Sequence, residues 1–325
     1  MLDCKSRGGS PSLPTLAIDN GGMIESDAYR QRKIEREGRL RWQSRVLLAL
    51  ILLPATAGVI LRLFPILTPA TAEGLIICAA FGLLVWLLHA ATPLAALTGF
   101  LLTACIYLGT VGQPSGGWFH TALLPGLALF VLAFAATRFR RGAKEVSGLA
   151  ESRRGRRASQ VAANMGVAAL TALALPPFAM PGRFSRGATL AGTILLVAVV
   201  AALAEAAADT VSSEIGQAIG GMPTLITSLK RVPTGTDGAV TLTGTVAGSI
   251  AAAILVLSAM PTLQLDPGQA VIAWIAAICG LFADSLIGAT LECRGWLNND
   301  IVNFLSTGVA TGIVALIALA WYCRP

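Results

Sequence analysis

Apolar and polar stretches alternate along this chain at intervals that match the thickness of a membrane. Runs with almost no charge fall at 46–63, 74–91, 93–112, 119–137, 160–180, 188–208, 239–259, 270–290 and 302–321. Each lies near the ~20 residues a helix needs to cross the hydrocarbon core. Backbone amides in lipid must be satisfied within their own segment, so the pattern predicts helices. The expected fold is all-α, a polytopic transmembrane helical bundle of about nine spans. Ala91-Thr92-Pro93 separates the second span from the third, because proline suits the first turn of a new helix. Pro176-Pro177 is expected to end or kink the fifth.

The punctuation between runs divides the chain into four parts: a polar tail (1–45), an N-terminal set of transmembrane helices (46–137), a basic loop (138–159) and a C-terminal transmembrane core (160–325). The tail is expected to be largely disordered to about Asp27. The charged run Arg30–Arg41 then forms a short surface helix, and Met23 offers an alternative start. Charge decides orientation. With a cytoplasmic N-terminus, 20 of the 24 lysines and arginines fall on the cytoplasmic side, and only Arg62, Arg183, Arg186 and Arg324 fall opposite. That is the positive-inside bias. The segments 138–159, 209–238 and 291–301 carry most of the polar chemistry outside the tail. An active site on the cytoplasmic face of the cytoplasmic (inner) membrane follows as an expectation.

Composition agrees. The chain is 55% hydrophobic and 13% charged, with a mean hydropathy of +0.71, where soluble domains run at about 25% charged. The net charge of +7 alternates with the spans, so it reads as topology signal and attraction to anionic membrane lipids; no nucleic-acid partner is expected. Six cysteines lack the C-x-x-C spacing of a zinc site, and His89 and His120 close apolar runs as interfacial residues.

The chemistry collects in three motifs. In Glu205-Ala-Ala-Ala-Asp209-Thr-Val-Ser212-Ser213-Glu214-Ile-Gly216, a continued helix puts Glu205, Asp209, Ser212 or Ser213 and Gly216 on one stripe. Glu214 then lies about 140° round from Asp209, so the two reach one ion only if the helix breaks. Next, Lys230-Arg231-Val-Pro-Thr-Gly235-Thr236-Asp237-Gly238 couples a cationic pair to a turn, with a helix start expected near Gly238. Open N–H groups, a positive dipole end and close-approach glycines suit phosphate, although an ordinary basic loop has the same composition. Third, Asp284 sits between Gly280 and Gly288 in an apolar run, and Asn298-Asn299-Asp300 with Asn303 opens the last helix, more amide and acid than one cap needs. Hard oxygen donors of this kind suit Mg²⁺ held together with phosphates, whose charge Lys230, Arg231 and the loop 138–157 would balance. The chain has no Gly-Lys dipeptide and hence no Walker A loop, and it lacks G-x-G-x-x-G.

Ala208–Gly216, Lys230–Gly238 and Gly295–Asn303 resemble the transmembrane protein 19 family, which includes the plant plastid phytyl-phosphate kinases. The likeness extends from about Thr92 to Trp321 and takes in Arg138–Arg141 and Gln160–Asn164; Glu292 departs from an expected glutamine. A more distant similarity links the layout to CDP-diacylglycerol synthases and dolichol kinases. The resemblance implies phosphorylation of an isoprenoid (phytyl or prenyl) monophosphate to the diphosphate by a nucleoside triphosphate, CTP by expectation, with Mg²⁺. Asp209, Glu214 and Asp284 would hold the metal, and Lys230 would join them in catalysis. Ser212, Ser213, Gly216, Lys230, Arg231, Gly235, Thr236 and Gly238 would bind the nucleotide. Asn164, Asn298, Asn299, Asp300 and Asn303 would orient the lipid phosphate. A cytidylyltransferase making a CDP-lipid and an ion-coupled transporter are the competing classes, and a homo-oligomer is one open assembly state.

Overall fold

The computed structural model describes residues 21–66, 69–111, 117–150, 152–175 and 186–322. Pro176-Pro177 and the tail to residue 20 lie outside that description. The described chain is nearly all helix. It opens with α1 (Gly21–Arg39), α2 (Arg41–Ile66), α3 (Pro69–Leu87), α4 (Pro93–Thr110) and α5 (Leu123–Arg138). A short α6 (Arg141–Val146), α7 (Ala158–Ala174) and the 34-residue α8 (Arg186–Ile219) follow. A two-stranded antiparallel ribbon, β1 (Thr224–Leu225) with β2 (Ala239–Val240), precedes α9 (Leu242–Leu263), α10 (Pro267–Ile287) and α11 (Asn299–Tyr322). Helix α1 already includes residues 21–27, which the polar composition assigned to disorder.

Six helices, α2, α4, α8, α9, α10 and α11, are long and apolar enough to cross a membrane, while α3, α5 and α7 are apolar but shorter. Among the described residues each expected apolar run overlaps one of these helices. Capping residues place the boundaries. Thr92 Oγ1 accepts from Ala95 N–H at 3.3 Å with Pro93 in the first turn of α4. Asp266 and Gln269 form a reciprocal capping box at α10, and Pro267 sets its first turn.

Helix α8 is the axis of the bundle, packed by α5, α7, α9, α10 and α11. Its segment Val197–Ala208 is almost without exposure. Alanine repeated along this stretch lets neighbouring backbones approach, which is how helices associate in lipid. At Gly280 of α10 a Cβ would stand 2.6 Å from Glu205 Cγ, so only glycine allows α10 to press against the acid-bearing stripe of α8. The far end of the bundle is tied by Arg62, whose buried guanidinium donates to the Leu108, Leu173 and Leu175 carbonyls closing α4 and α7. A cation there satisfies orphan carbonyls and complements two helix C-termini.

Helix α10 does not end cleanly. Residues Gly288–Glu292 form one wider π turn, closed by Cys293 N–H donating to the Gly288 carbonyl at 3.0 Å. Such turns recur at functional sites because they re-aim side chains. Here the turn carries Glu292 inward.

Candidate active site

Helix α8 runs unbroken through Ile219, so Glu205, Asp209, Ser212 and Gly216 do share a face. Asp209 opens into a polar cavity of ≈ 400 Å³. Asp284 of α10 lines the same cavity, and Ser212, Ser213 and Gly216 lie along its α8 wall. Glu205 is buried one turn deeper on α8. Asp209, Glu205 and Glu292 are all within Coulombic reach of Asp284. Asp284 Oδ2, Glu205 Oε1 and Glu292 Oε1 are buried without a hydrogen-bond partner. Orphaned carboxylate oxygens are costly, and several at one place call for a compensating cation, proton or water. Among the described residues no three His, Cys, Asp or Glu side chains converge as a metal cluster. A divalent ion would therefore rest on the Asp209–Asp284 pair and take its other ligands from water or phosphate. Mg²⁺ is commonly held in that way, and the donor set fits it.

Glu214 does not belong to that pair. Because α8 stays helical, Glu214 meets the cavity from another side, and its carboxylate receives Lys144 Nζ and Thr137 Oγ1. Lys144, itself buried, also donates to the Ala136 and Thr137 carbonyls at 3.1 and 3.0 Å. The expected metal ligand instead pins the basic loop to α8 through the C-terminus of α5.

The Pro-Thr-Gly-Thr-Asp-Gly turn reaches the cavity with Gly235, Thr236 and Gly238, but Lys230 and Arg231 do not line it. That pair sits exposed at the far end of the β1–β2 loop, after Leu229 in a left-handed conformation (φ 55°). The helix expected near Gly238 begins slightly later. Strand β2 intervenes, and α9 starts at Leu242 behind Thr241, whose Oγ1 accepts from Gly244 N–H at 3.0 Å. Gly238 has φ +72°, and a Cβ there would lie 2.3 Å from Ala289 N, so the turn is pressed onto the π turn of α10.

Two cations do line the cavity: Arg156, from the basic loop expected to balance phosphate charge, and Lys33, which was not singled out in the sequence. Lys33 and Arg36 of α1 both donate to the Asp237 carboxylate, whose side chain is 1% exposed. Tyr29 Oη accepts from Asp237 N–H at 3.0 Å, and Arg36 approaches Glu292 Oε1 at 3.8 Å, too far for a hydrogen bond. Burial by itself would raise the Asp237 carboxyl, yet Lys33 and Arg36 hold it below the ordinary carboxylate range. Burial, reinforced by the Asp237 charge, pushes the Tyr29 phenol up to about 12. The run taken for a surface helix is thus a strap across the loop that closes the cavity. The available signal was Asp237, a lone acid in a turn beside five non-acidic neighbours on either flank, matched by the density of cations in α1.

At the start of α11 the polar residues divide. Asn299 and Asn303 line the cavity, and Asn303 Nδ2 donates to Asn164 Oδ1 of α7 at 3.0 Å, which places Asn164 there as well. Asn298 and Asp300 do not line it. Asn298 Oδ1 caps α11 through Ile301 N–H at 3.0 Å, and its amide donates to the Leu40 carbonyl and Ser44 Oγ. Asp300 receives Ser44 Oγ at 2.6 Å. Both fasten the entry of α2.

A family model described as integral membrane protein DUF92 matches residues 76–311. The chain belongs to that family. The DUF92 match runs from α3 to α11, so it contains Asp209, Asp284 and Arg156 but not the α1 strap. Protein VTE6, chloroplastic, of Arabidopsis thaliana is 31% identical over 242 residues, 73% of this chain and 70% of its own. An uncharacterized membrane protein of Synechocystis sp. is 35% identical over 214 residues, covering 64% and 79% of the two chains. One from Methanocaldococcus jannaschii is 38% identical over 128 residues, covering 39% and 52%. No solved structure matches the chain. The transmembrane protein 19 resemblance and the DUF92 membership describe one family.

Proposed function

We propose that this DUF92 protein is a membrane kinase that phosphorylates an isoprenoid monophosphate to the diphosphate, with CTP as donor and Mg²⁺ as cofactor, at the cytoplasmic face. The observation that carries the proposal is the cavity shared by Asp209 and Asp284, with Lys33 and Arg156 as its cationic walls. Acids paired for a metal, cations for phosphate and a membrane-embedded setting together favour phosphoryl transfer to a lipid. Resemblance to the family of plant phytyl-phosphate kinases supports the acceptor.

Catalysis of this reaction is positioning plus charge stabilisation. An oxygen of the lipid phosphate attacks the γ-phosphorus; the bond from that phosphorus to the β-bridging oxygen breaks, and its electron pair leaves with CDP. The acceptor is already anionic, so no strong general base is required, in keeping with the absence of histidine from the cavity wall. Asp209 and Asp284 would hold Mg²⁺, which supplies charge neutralisation at the phosphates when bound. Arg156 and Lys33 balance the remaining negative charge, while Ser212, Thr236 and the backbone of Gly235–Gly238 face the phosphates. Asn164, Asn299 and Asn303 orient the acceptor.

The test is product analysis. Purified protein given a prenyl monophosphate, Mg²⁺ and CTP should release CDP and prenyl diphosphate. Release of pyrophosphate with a CDP-lipid would replace the kinase by a cytidylyltransferase. Failure to bind labelled CTP or any other nucleoside triphosphate would remove both enzymes and leave transport.

A further inference from the structure

A second cavity of ≈ 120 Å³ lies between α3, α4, α5 and α7, and it is of opposite character to the first. Its walls are apolar: Phe81, Phe130 and Phe134 form a ring-on-ring ladder, with centroids 5.1 and 5.4 Å apart, facing small residues of α4 such as Ala95 and Ala96. Its polar end is cationic. Arg138, Arg141 and Arg156 all border it, and Arg138 lies over the Phe134 ring at 4.5 Å. Ser152, Arg156 and Asn164 line both cavities, so the apolar channel and the polar chamber meet at these side chains.

Arg156 is built into that junction. Its N–H donates to the Ala90 carbonyl at 2.9 Å, and its own carbonyl accepts from Thr92 N–H at 3.0 Å, pairing the basic loop with the α3–α4 connection. Gly155 makes this possible: φ is +78°, and a Cβ would stand 2.4 Å from the Ala90 carbonyl carbon. The guanidinium donates to Thr210 Oγ1 at 3.3 Å, one residue from Asp209, and takes part in no ion pair among the described residues. A rigidly mounted arginine facing a metal-type acid pair on one side and an apolar channel on the other has the layout of an amphiphile's headgroup site.

We infer that the α3–α4–α5–α7 channel holds the apolar chain of the acceptor, a single-chain polyisoprenoid phosphomonoester, with its phosphate at Arg156 and its first isoprene units against the phenylalanine ladder. This rests on the kinase reading and names its lipid subsite. A cavity of ≈ 120 Å³ suits one chain rather than two, and Arg156 and Arg138 at its mouth match a phosphomonoester dianion better than a diester; the third arginine there, Arg141, is paired with Glu145 at 3.1 Å.

Two glycines make the channel testable without breaking the fold. A Cβ at Gly126 meets nothing within 4 Å, and one at Gly99 meets only Val161 Cγ1 at 3.8 Å. Leucine at either helical position projects into the channel while raising helix propensity. The experiment uses the full chain in nanodiscs with a C20 prenyl monophosphate carrying a photoreactive diazirine in its tail. Crosslinks should map to 93–110 and 123–138. Gly99→Leu and Gly126→Leu should each raise the apparent Kd for the probe at least tenfold, with CTP affinity and elution profile unchanged. Arg156→Gln should weaken the phosphate probe tenfold while leaving a diazirine-bearing prenol at its wild-type affinity. Crosslinks confined to α9–α10, or wild-type probe affinity in both leucine variants, would overturn the assignment. So would displacement of the probe by an equal concentration of dioleoyl phosphatidic acid. The two readings separate cleanly. Channel crosslinks without diphosphate product sink the kinase and keep the subsite; diphosphate formed with an unchanged acceptor KM in both leucine variants sinks the subsite and keeps the kinase.

Discussion

At the scale of single residues, the acids of this site do different work, and their partners decide which. Asp209 and Asp284 face a shared chamber, and Asp284 Oδ2 has no hydrogen-bond partner. Glu214 is held by Lys144 and Thr137. Replacing a carboxylate by its amide therefore predicts opposite outcomes. Asp209→Asn or Asp284→Asn should cut turnover by about 10²–10³, the usual effect of losing one electrostatic contact in a transition state, with thermal stability kept or improved. Glu214→Gln should instead leave the buried Lys144 poorly paired and lower stability by ~3–5 kcal/mol. Melting curves beside turnover rates check the split; a stability loss in Asp209→Asn matching that of Glu214→Gln would refute it. The sequence showed which residues were acidic and that an unbroken α8 would separate Asp209 from Glu214. It could not show Lys144, because that contact joins positions 70 residues apart and carries no local periodicity. The same holds for Asn298 and Asp300: their motif is legible, but their partners Leu40 and Ser44 lie more than 250 residues away.

At the scale of elements, α1 is the part whose role changed most between sequence and structure. Its cations reach Asp237, which closes the turn over the chamber, and Lys33 also lines the chamber itself. Burial works against the Lys33 ammonium, but Asp237 and Glu292 together lift it above the ordinary lysine range. The signs for pH follow. The depressed Asp237 contributes docking free energy that is complete above the ordinary carboxylate pKa and is lost as pH falls through its lowered value. The raised Lys33 contributes below the ordinary lysine pKa and is lost as pH rises through its raised value. Through these two groups docking of α1 should be complete from about pH 5 to pH 9 and fail in acid, while the Glu37 carboxyl of α1, raised by burial, weakens docking as pH rises through its value. Hydrogen exchange over residues 29–39 reads this directly, and steady exposure beginning near neutral pH would contradict it. Asp237→Ala removes the shared partner of two cations, worth ~3–5 kcal/mol if the strap stayed docked. Because α1 can peel into water, the observed loss should stop at its docking free energy and appear as a freely exchanging strap on an intact bundle. Propensity identified this run as helix; what it covers is a tertiary fact.

At the scale of the molecule, the large outward side chains form the belt that lipid requires. Leu53 and Leu61 of α2, Leu257 of α9 and Leu316 of α11 are all more than half exposed, an arrangement water would penalise and hydrocarbon does not. The nine apolar runs were legible because hydropathy averages over whole helices. The three shorter helices α3, α5 and α7, which frame the second cavity, were not distinguishable as a group, since a short span and a long one have the same composition. Orientation is the remaining property of the whole, and the charge asymmetry predicts it. With the strap, the basic loop and the β1–β2 loop all at the chamber end, that end should be cytoplasmic. Ser228, exposed on the β1–β2 loop, and Gly268, exposed at the α9–α10 connection, lie at opposite ends of α9. In sealed right-side-out vesicles, Gly268→Cys should react with a membrane-impermeant maleimide above the labelling of the unsubstituted protein, and Ser228→Cys should react only after permeabilisation. The reverse pattern would invert the molecule and move the chamber away from cytosolic nucleotides, which the proposed kinase reading could not survive. Equal labelling of both positions from outside would instead deny α9 its span, and with it the packing of α9 on α8 that holds Asp209 at the chamber.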